Sequence, residues 1–295
     1  MISLPSTRFV NVNGIRLAYA ERPRLDKPRA TAPGNDGAPA IICLPHLTGH
    51  KGSFGPLAER LAPDWRVFAL DLRGRGESDR GDDGYGFAYH ARDILAFADA
   101  VGLARFFLLG HSFGATTAVY LASIQPGRVQ ALVLLDGGAD PKAGTLRAMY
   151  PAIQRLEQRY PSLEAYRAAM RALPFFEPWS AALEQYCGDD VETLPDGTLR
   201  SRSSAAAITR DLDLHFLYSM CLHFPALRCP VLFLRPGNGL AGERGHVFSE
   251  AEAQAIAASI PNCTRVEVPG VNHYTMLIND EPPVAGPIRE FLKAT

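Results

Sequence analysis

Gly110-His111-Ser112-Phe113-Gly114 decides the reading of this 295-residue chain. A serine with a glycine two positions away on each side suits a sharp turn from a strand into a helix. The pattern is short, though, and a chain with 26 glycines can meet it by chance, so the neighbours must decide. Before it, residues 105–109 read Arg-Phe-Phe-Leu-Leu, a short apolar run of the kind shown by a strand covered on both faces. After it, residues 115–124 are apolar at helical spacing and close at Gln125-Pro126-Gly127. The glycines have a physical task here. A turn this tight strains the backbone at the serine and leaves no room for side chains where strand and helix meet.

Working outward, strands and helices alternate: strands at 40–44, 66–70, 105–109 and 129–135, and helices at 52–61 and 89–101. Short connections between them imply βαβ units and a parallel sheet covered on both faces. Ahead of them, 8–12 and 15–20 form a hairpin about Asn13-Gly14, a pair suited to the positive φ angles of such a turn. Residues 22–39 turn to Pro, Gly, Arg and Asp, the composition of a surface loop.

From 137 the alternation gives way to helical patterns at 145–160, 163–173, 179–186 and 204–222, with a turn at 194–197 and no strand run. It resumes with a strand at 231–234, a helix at 249–259 capped by Ser249, a strand at 264–268 and a helix at 283–293. The expected fold is therefore a three-layer α/β domain, with a mostly parallel central sheet of about eight strands and helices on both faces. Residues 1–136 and 226–295 make the core. Residues 137–225 form a helical cap, inserted after the strand ending at Asp136, because both ends of the insertion emerge where the sheet's strands end. Ligands of such sheets bind beyond the carboxyl ends of the strands, which is where the serine falls.

A formal charge of −1 and the lack of a basic run argue against a nucleic acid or an anionic membrane surface as partner. Five cysteines (Cys43, Cys187, Cys221, Cys229, Cys263) are odd in number and scattered, so they suggest neither a disulfide framework nor a metal site. Residues 1–13 do not read as a signal peptide, and no apolar run approaches the roughly 20 residues of a membrane span. The expected location is the cytoplasm.

From Arg8 onward the chain resembles the α/β-hydrolase fold superfamily. The carriers of the resemblance are the elbow at 110–114, the loop Leu44-Pro45-His46-Leu47-Thr48-Gly49-His50, the segment Asp71-Leu72-Arg73-Gly74-Arg75-Gly76-Glu77-Ser78-Asp79, and Gly270-Val271-Asn272-His273. The resemblance implies Ser112 as nucleophile, His273 as general base, and the Phe113 backbone N–H as one oxyanion donor. The second donor falls at Thr48, or at Leu47, which stands where glycine is usual. The acid departs from the commonest pattern. The loop after 231–234 carries Asn238, which cannot be an anion, whereas Asp136 closes the preceding strand, where a subset of the superfamily places its acid. Asp136 is favoured, with Glu243 the runner-up.

Segment 71–79 resembles the family's supporting turn and lacks the lysine and spacing of a phosphate loop, so no cofactor is implied. His46 and His50 are spaced like a metal pair on a helix, but Pro45 and Gly49 disfavour a helix and no metal is expected. His46, Phe176, Trp179 and Tyr218 are predicted to line the substrate pocket. The expected activity is hydrolysis of a small, largely apolar carboxylic ester or lactone through an acyl-enzyme. Thioesterase, amidase, carbon-carbon bond hydrolase and acyltransferase activities use the same constellation, and a binding module that has lost turnover is the reading from another class.

Overall fold

Alternation along the strands sets the layers. The computed structural model describes residues 4–24, 40–142, 145, 150–240 and 242–295. An eight-stranded sheet runs in the order β1 (Arg8–Val12), β2 (Ile15–Arg22), β4 (Arg66–Leu70), β3 (Ala40–Leu44), β5 (Phe106–His111), β6 (Val129–Leu135), β9 (Val231–Pro236), β10 (Cys263–Val268). β1 and β2 pair antiparallel about Asn13 and Gly14, both at positive φ, and β2 pairs antiparallel with β4. The remaining neighbours are parallel.

Successive side chains of a strand point to opposite faces. Ile42, Leu44, Phe68, Leu108, Leu134 and Phe233 accordingly pack with α2 (Phe87–Ala100), α3 (Phe113–Ile124) and α8 (Glu250–Ser259). Their neighbours Ile41, Cys43, Val67, Leu109, Leu135 and Leu234 pack with α1 (Gly55–Leu61) and α9 (Ala285–Lys293) on the other face. Each buried apolar side chain contributes about 1.5–3 kcal/mol as an upper estimate. This two-faced core therefore fixes where the strand ends lie.

Between β6 and β9 come α4 (Tyr150–Arg155), α5 (Leu163–Arg171), α6 (Ala181–Asp189) and α7 (Ala205–His215), with 3-10 turns at Pro174–Phe176 and Met220–Ala226. They enclose a third apolar cluster, in which Tyr166, Met170, Phe176, Leu183 and Tyr186 meet Ile278. Two strands here were not expected: β7 (Val191–Thr193) and β8 (Leu199–Ser201) pair as a hairpin about the turn at 194–197. Three residues each, with Glu192, Thr193 and Arg200 among them, they show no apolar run to read.

The helix expected over 204–222 ends at His215. Beyond it Asp140 accepts hydrogen bonds from Ser219 Oγ at 2.9 Å and Met220 N–H at 2.8 Å, holding a second turn out of line with α7. The helix expected over 145–160 is seen as Tyr150–Arg155, since Tyr160 bridges to Leu199, and residues 146–149 lie outside the described residues. Of the expected surface loop at 22–39, residues 25–39 also lie outside them, and β2 runs on to Arg22. The helix expected at 52–61 opens as a 3-10 turn, Lys51–Phe54, before α1, and the one expected at 89–101 spans Phe87–Ala100.

Candidate active site

β5 and β6 lie side by side and end in Ser112 and Asp136. Ser112 has φ 54° and ψ −117°, and Asp136 has φ 43°, conformations that cost an L-residue about 1–3 kcal/mol each. Neighbouring backbone holds both. Ser112 N–H donates to Leu135 O at 2.9 Å, and Asp136 N–H to Leu234 O at 2.8 Å. Glycines permit the close approach: a Cβ on Gly110 would sit 2.3 Å from Gly114 O, and one on Gly114 would sit 2.2 Å from Leu44 O. Gly137 is a third, unmarked by the motif, where a Cβ would sit 2.4 Å from Ser112 O.

His273 stands in the loop after β10. Its Nδ1 lies 2.6 Å from Asp136 Oδ2, and the two residues are 6% and 1% exposed. A carboxylate only accepts, so Nδ1 carries the proton and donates, leaving the lone pair on Nε2. The histidine is thus brought to Asp136 and not to Glu243, which is exposed on its loop. Asn238 is exposed as well, its backbone N–H donating to Val271 O at 2.9 Å.

Two residues that stand in the motifs without an assigned role shape the histidine loop. Asn272 Oδ1 accepts from the N–H groups of Tyr274 (2.9 Å) and Thr275 (3.0 Å), while Nδ2 donates to Phe175 O at 3.0 Å and ties the loop to the insertion. An Asx turn of this kind is a local signal that an Asn two or three residues before its partners can give. His111 gave no such signal, because its partner is 162 positions away. Its Nε2–H donates to the His273 carbonyl at 2.8 Å. Burial first, then the charge of His273 and of His46, push the His111 imidazole well below the ordinary histidine value, so it stays neutral.

Ser112, Asp136 and His273 line one cavity of about 420 Å³. Its walls are largely apolar, with Leu47, Phe113 and Tyr274 from the core and Ala139, Phe175 and Leu212 from the insertion. None of the four predicted pocket residues lines it. His46 and Phe176 face a separate cavity of about 20 Å³, together with Thr48, Tyr186 and Asp190. Trp179 Nε1–H donates to Glu184 at 2.8 Å beneath Arg171, and Tyr218 packs on Phe87 and Tyr120. Trp179 thus packs within residues 137–225, while Phe176 and Tyr218 pack against aromatics of the core. Of the two candidate second donors, Leu47 lines the serine cavity and Thr48 the small one. His50, once paired with His46 as a spacing, instead stacks on Tyr186, with Nε2 3.1 Å from its carbonyl oxygen. Among the described residues no group of three or more His, Cys, Asp or Glu could hold a metal ion, and no helix is long and apolar enough to cross a membrane.

A mostly parallel eight-stranded sheet with a serine on a strand-to-helix elbow has the architecture of the alpha/beta hydrolase fold. That family's model matches residues 39–280, and the chain belongs to it. Within the family it is similar to N-formylmaleamate deformylase of Pseudomonas putida, 32% identical over 241 residues that cover 78% of each chain. It is also similar to 2-(acetamidomethylene)succinate hydrolase of Mesorhizobium japonicum, 26% identical over 260 residues covering 82% of this chain and 84% of the relative. Among solved structures, an E-2-(acetamidomethylene)succinate hydrolase shares the fold, with a TM-score of 0.83 at 23% identity over 98% of this chain and 99% of the other.

Proposed function

We propose that this member of the family is a serine hydrolase that cleaves a small, largely apolar carboxylic ester or lactone through an acyl-enzyme on Ser112. The observation that carries the proposal is the 2.6 Å contact of His273 Nδ1 with Asp136, in the cavity that Ser112 lines. A serine hydroxyl is a poor nucleophile until a base takes its proton, and the base needs a carboxylate to fix its tautomer and balance its charge.

In the proposed reaction His273 Nε2 takes the Ser112 proton as Oγ adds to the substrate carbonyl. The oxyanion is met by the Phe113 N–H and by an N–H of the Leu47–Thr48 segment. Collapse breaks the bond to the leaving group, which departs with the proton from Nε2, and a water deprotonated by the same nitrogen then releases the acid. No step calls for a metal or cofactor. Residues 137–225 act as a cap over the core made by 1–136 and 226–295, a division supported by the insertion's share of the cavity wall.

Cleavage of an N-acyl bond by the same steps is the second reading. It is favoured by the deformylase, whose name gives an N-formyl substrate and which matches at 32% identity over most of both chains. The test is labelling by a fluorophosphonate probe with Ser112→Ala as control, beside a panel of short esters, lactones and N-acyl compounds. Stoichiometric labelling of the wild type alone is expected. A folded protein that the probe leaves unlabelled and that turns over nothing in the panel would be a binding module instead.

A further inference from the structure

Among the described residues Arg75 is the largest fully buried side chain, and it has no part in the steps above. A buried arginine needs a reason, because its desolvation is costly unless its donors are met, and here Nη2 is buried without a hydrogen-bond partner. Its Nη1 meets Asp211 Oδ2 of α7 at 2.5 Å and donates to Arg73 O at 2.9 Å. Its Nε donates to Leu47 O at 3.1 Å. The guanidinium carbon lies 5.5 Å from the centre of the Phe113 ring. One cation therefore touches both places from which the oxyanion donors come.

The turn that carries Arg75 grips the same loop a second time. Asp71 accepts from Lys51 N–H at 2.6 Å, from Lys51 Nζ at 2.8 Å and from Glu77 N–H at 2.9 Å. The segment from Leu47 to Lys51 is thus fastened at both ends by 71–77. Glycines allow the turn to close, since a Cβ on Gly76 (φ 52°) would sit 2.3 Å from the Asp71 carboxylate.

The peptide group is planar and trans, so the Leu47 carbonyl and the Thr48 N–H point in opposite directions from one rigid unit. Fixing the carbonyl on Arg75 fixes the ψ angle of Leu47, which lines the serine cavity while Thr48 lines the small one, and so sets the course of the segment that offers the second donor. A charge-assisted bond to the carbonyl also polarises the amide and strengthens it as a donor. We infer, on the strength of the serine-hydrolase reading of Ser112, that Arg75 is a positioning residue of the oxyanion hole. It holds the Leu47–Thr48 peptide and Phe113 in register with Ser112, and it couples both to α7 of the insertion through Asp211.

A plain structural strap would also be buried and ion-paired, so the test must read the oxyanion. Matched p-nitrophenyl ester and thionoester substrates do this, because sulfur is a poor hydrogen-bond acceptor and an intact hole prefers oxygen. Deleting one oxyanion donor costs about 10²–10³ in kcat. Displacing one, in Arg75→Met, is expected to lower ester kcat about 10- to 100-fold with KM little changed, and to shrink the ester-over-thionoester ratio by a similar factor. Arg75→Lys keeps the charge but cannot span Leu47, Arg73 and Asp211, so it should recover only part of the ratio. If Arg75→Met does not fold, Arg75→Lys is decisive alone. A folded variant of lowered activity whose ratio equals that of the wild type makes Arg75 a strap and overturns the inference. Ser112→Ala tests the underlying reading separately: full activity in that variant overturns the hydrolase assignment, whatever Arg75 does.

Discussion

At the scale of single residues, the histidine has two carboxylates to choose between in the sequence and one in space. Asp136 is within hydrogen-bonding distance of His273 and Glu243 is exposed on its loop. Asp136→Asn should lower kcat for a p-nitrophenyl ester about 10³- to 10⁴-fold, because an amide favours the wrong tautomer of the imidazole. Glu243→Gln should leave kcat within about twofold, as a change on an exposed loop does. The reverse outcome would move the acid to Glu243. The elbow glycines make a steric claim of the same sharpness. Gly114→Ala would press a methyl to 2.2 Å of the Leu44 carbonyl oxygen, backbone that cannot move aside. It should cost about 3 kcal/mol or more, read as a lowered urea midpoint, or as no soluble fold at all.

At the scale of elements, local signals were legible and long-range ones were not. Asn13-Gly14 announced its hairpin, and Ser249 announced the start of α8, where the structure adds a reciprocal capping box with Glu252. Ser249→Ala should lower stability by about 1 kcal/mol in urea unfolding and change ester turnover little, since Ser249 itself does not line the cavity, although its neighbour Phe248 does. The buried strands were readable because both faces are covered and the run is continuously apolar. β7 and β8 were hidden by their polarity. The residues expected at the substrate pocket lie outside the serine cavity for a related reason. Composition marks Phe176, Trp179 and Tyr218 as aromatic but cannot tell a wall facing a ligand from one facing another helix. His111 and Arg75 escaped because their partners lie far away along the chain, and no pattern of spacing encodes a contact across the sheet.

At the scale of the whole molecule, buried ionisable groups tie stability to pH. Burial, reinforced by the charges of His273, His50, Arg155 and Arg75, pushes His46 well below the ordinary histidine value, and His111 behaves alike. In the unfolded chain each titrates near ~6.5. Above that pH neither state carries the protons and stability is whole. Below it the unfolded chain takes up protons that the folded one refuses, so stability falls as pH falls, by about 1.4 kcal/mol per pH unit for each histidine. Asp211 acts further into acid. Burial alone would raise its carboxyl, but the charges of His90 and Arg75 outweigh it and hold the group well below the usual carboxylate range. Its contribution is present above the unfolded value near ~3.9 and lost as pH drops through the folded one. Urea unfolding from pH 7.5 to 5 should show proton uptake below about pH 6, to which His215 and His246, also lowered chiefly by burial, add. A flat profile over that range would mean the imidazoles of His46 and His111 are not held neutral.

The order of the strands has a consequence in time. Ser112 and Asp136 end neighbouring strands, β5 and β6, and are 24 positions apart, whereas His273 is 137 positions beyond Asp136 and arrives only after β9 and β10. As the chain emerges from the ribosome, the strand pair that carries Ser112 and Asp136 is made long before His273, although Asp136 waits for Leu234 of β9 to hold its backbone. The two strand ends are therefore made without the histidine, which joins them only once β9 and β10 have been added along the edge of the sheet.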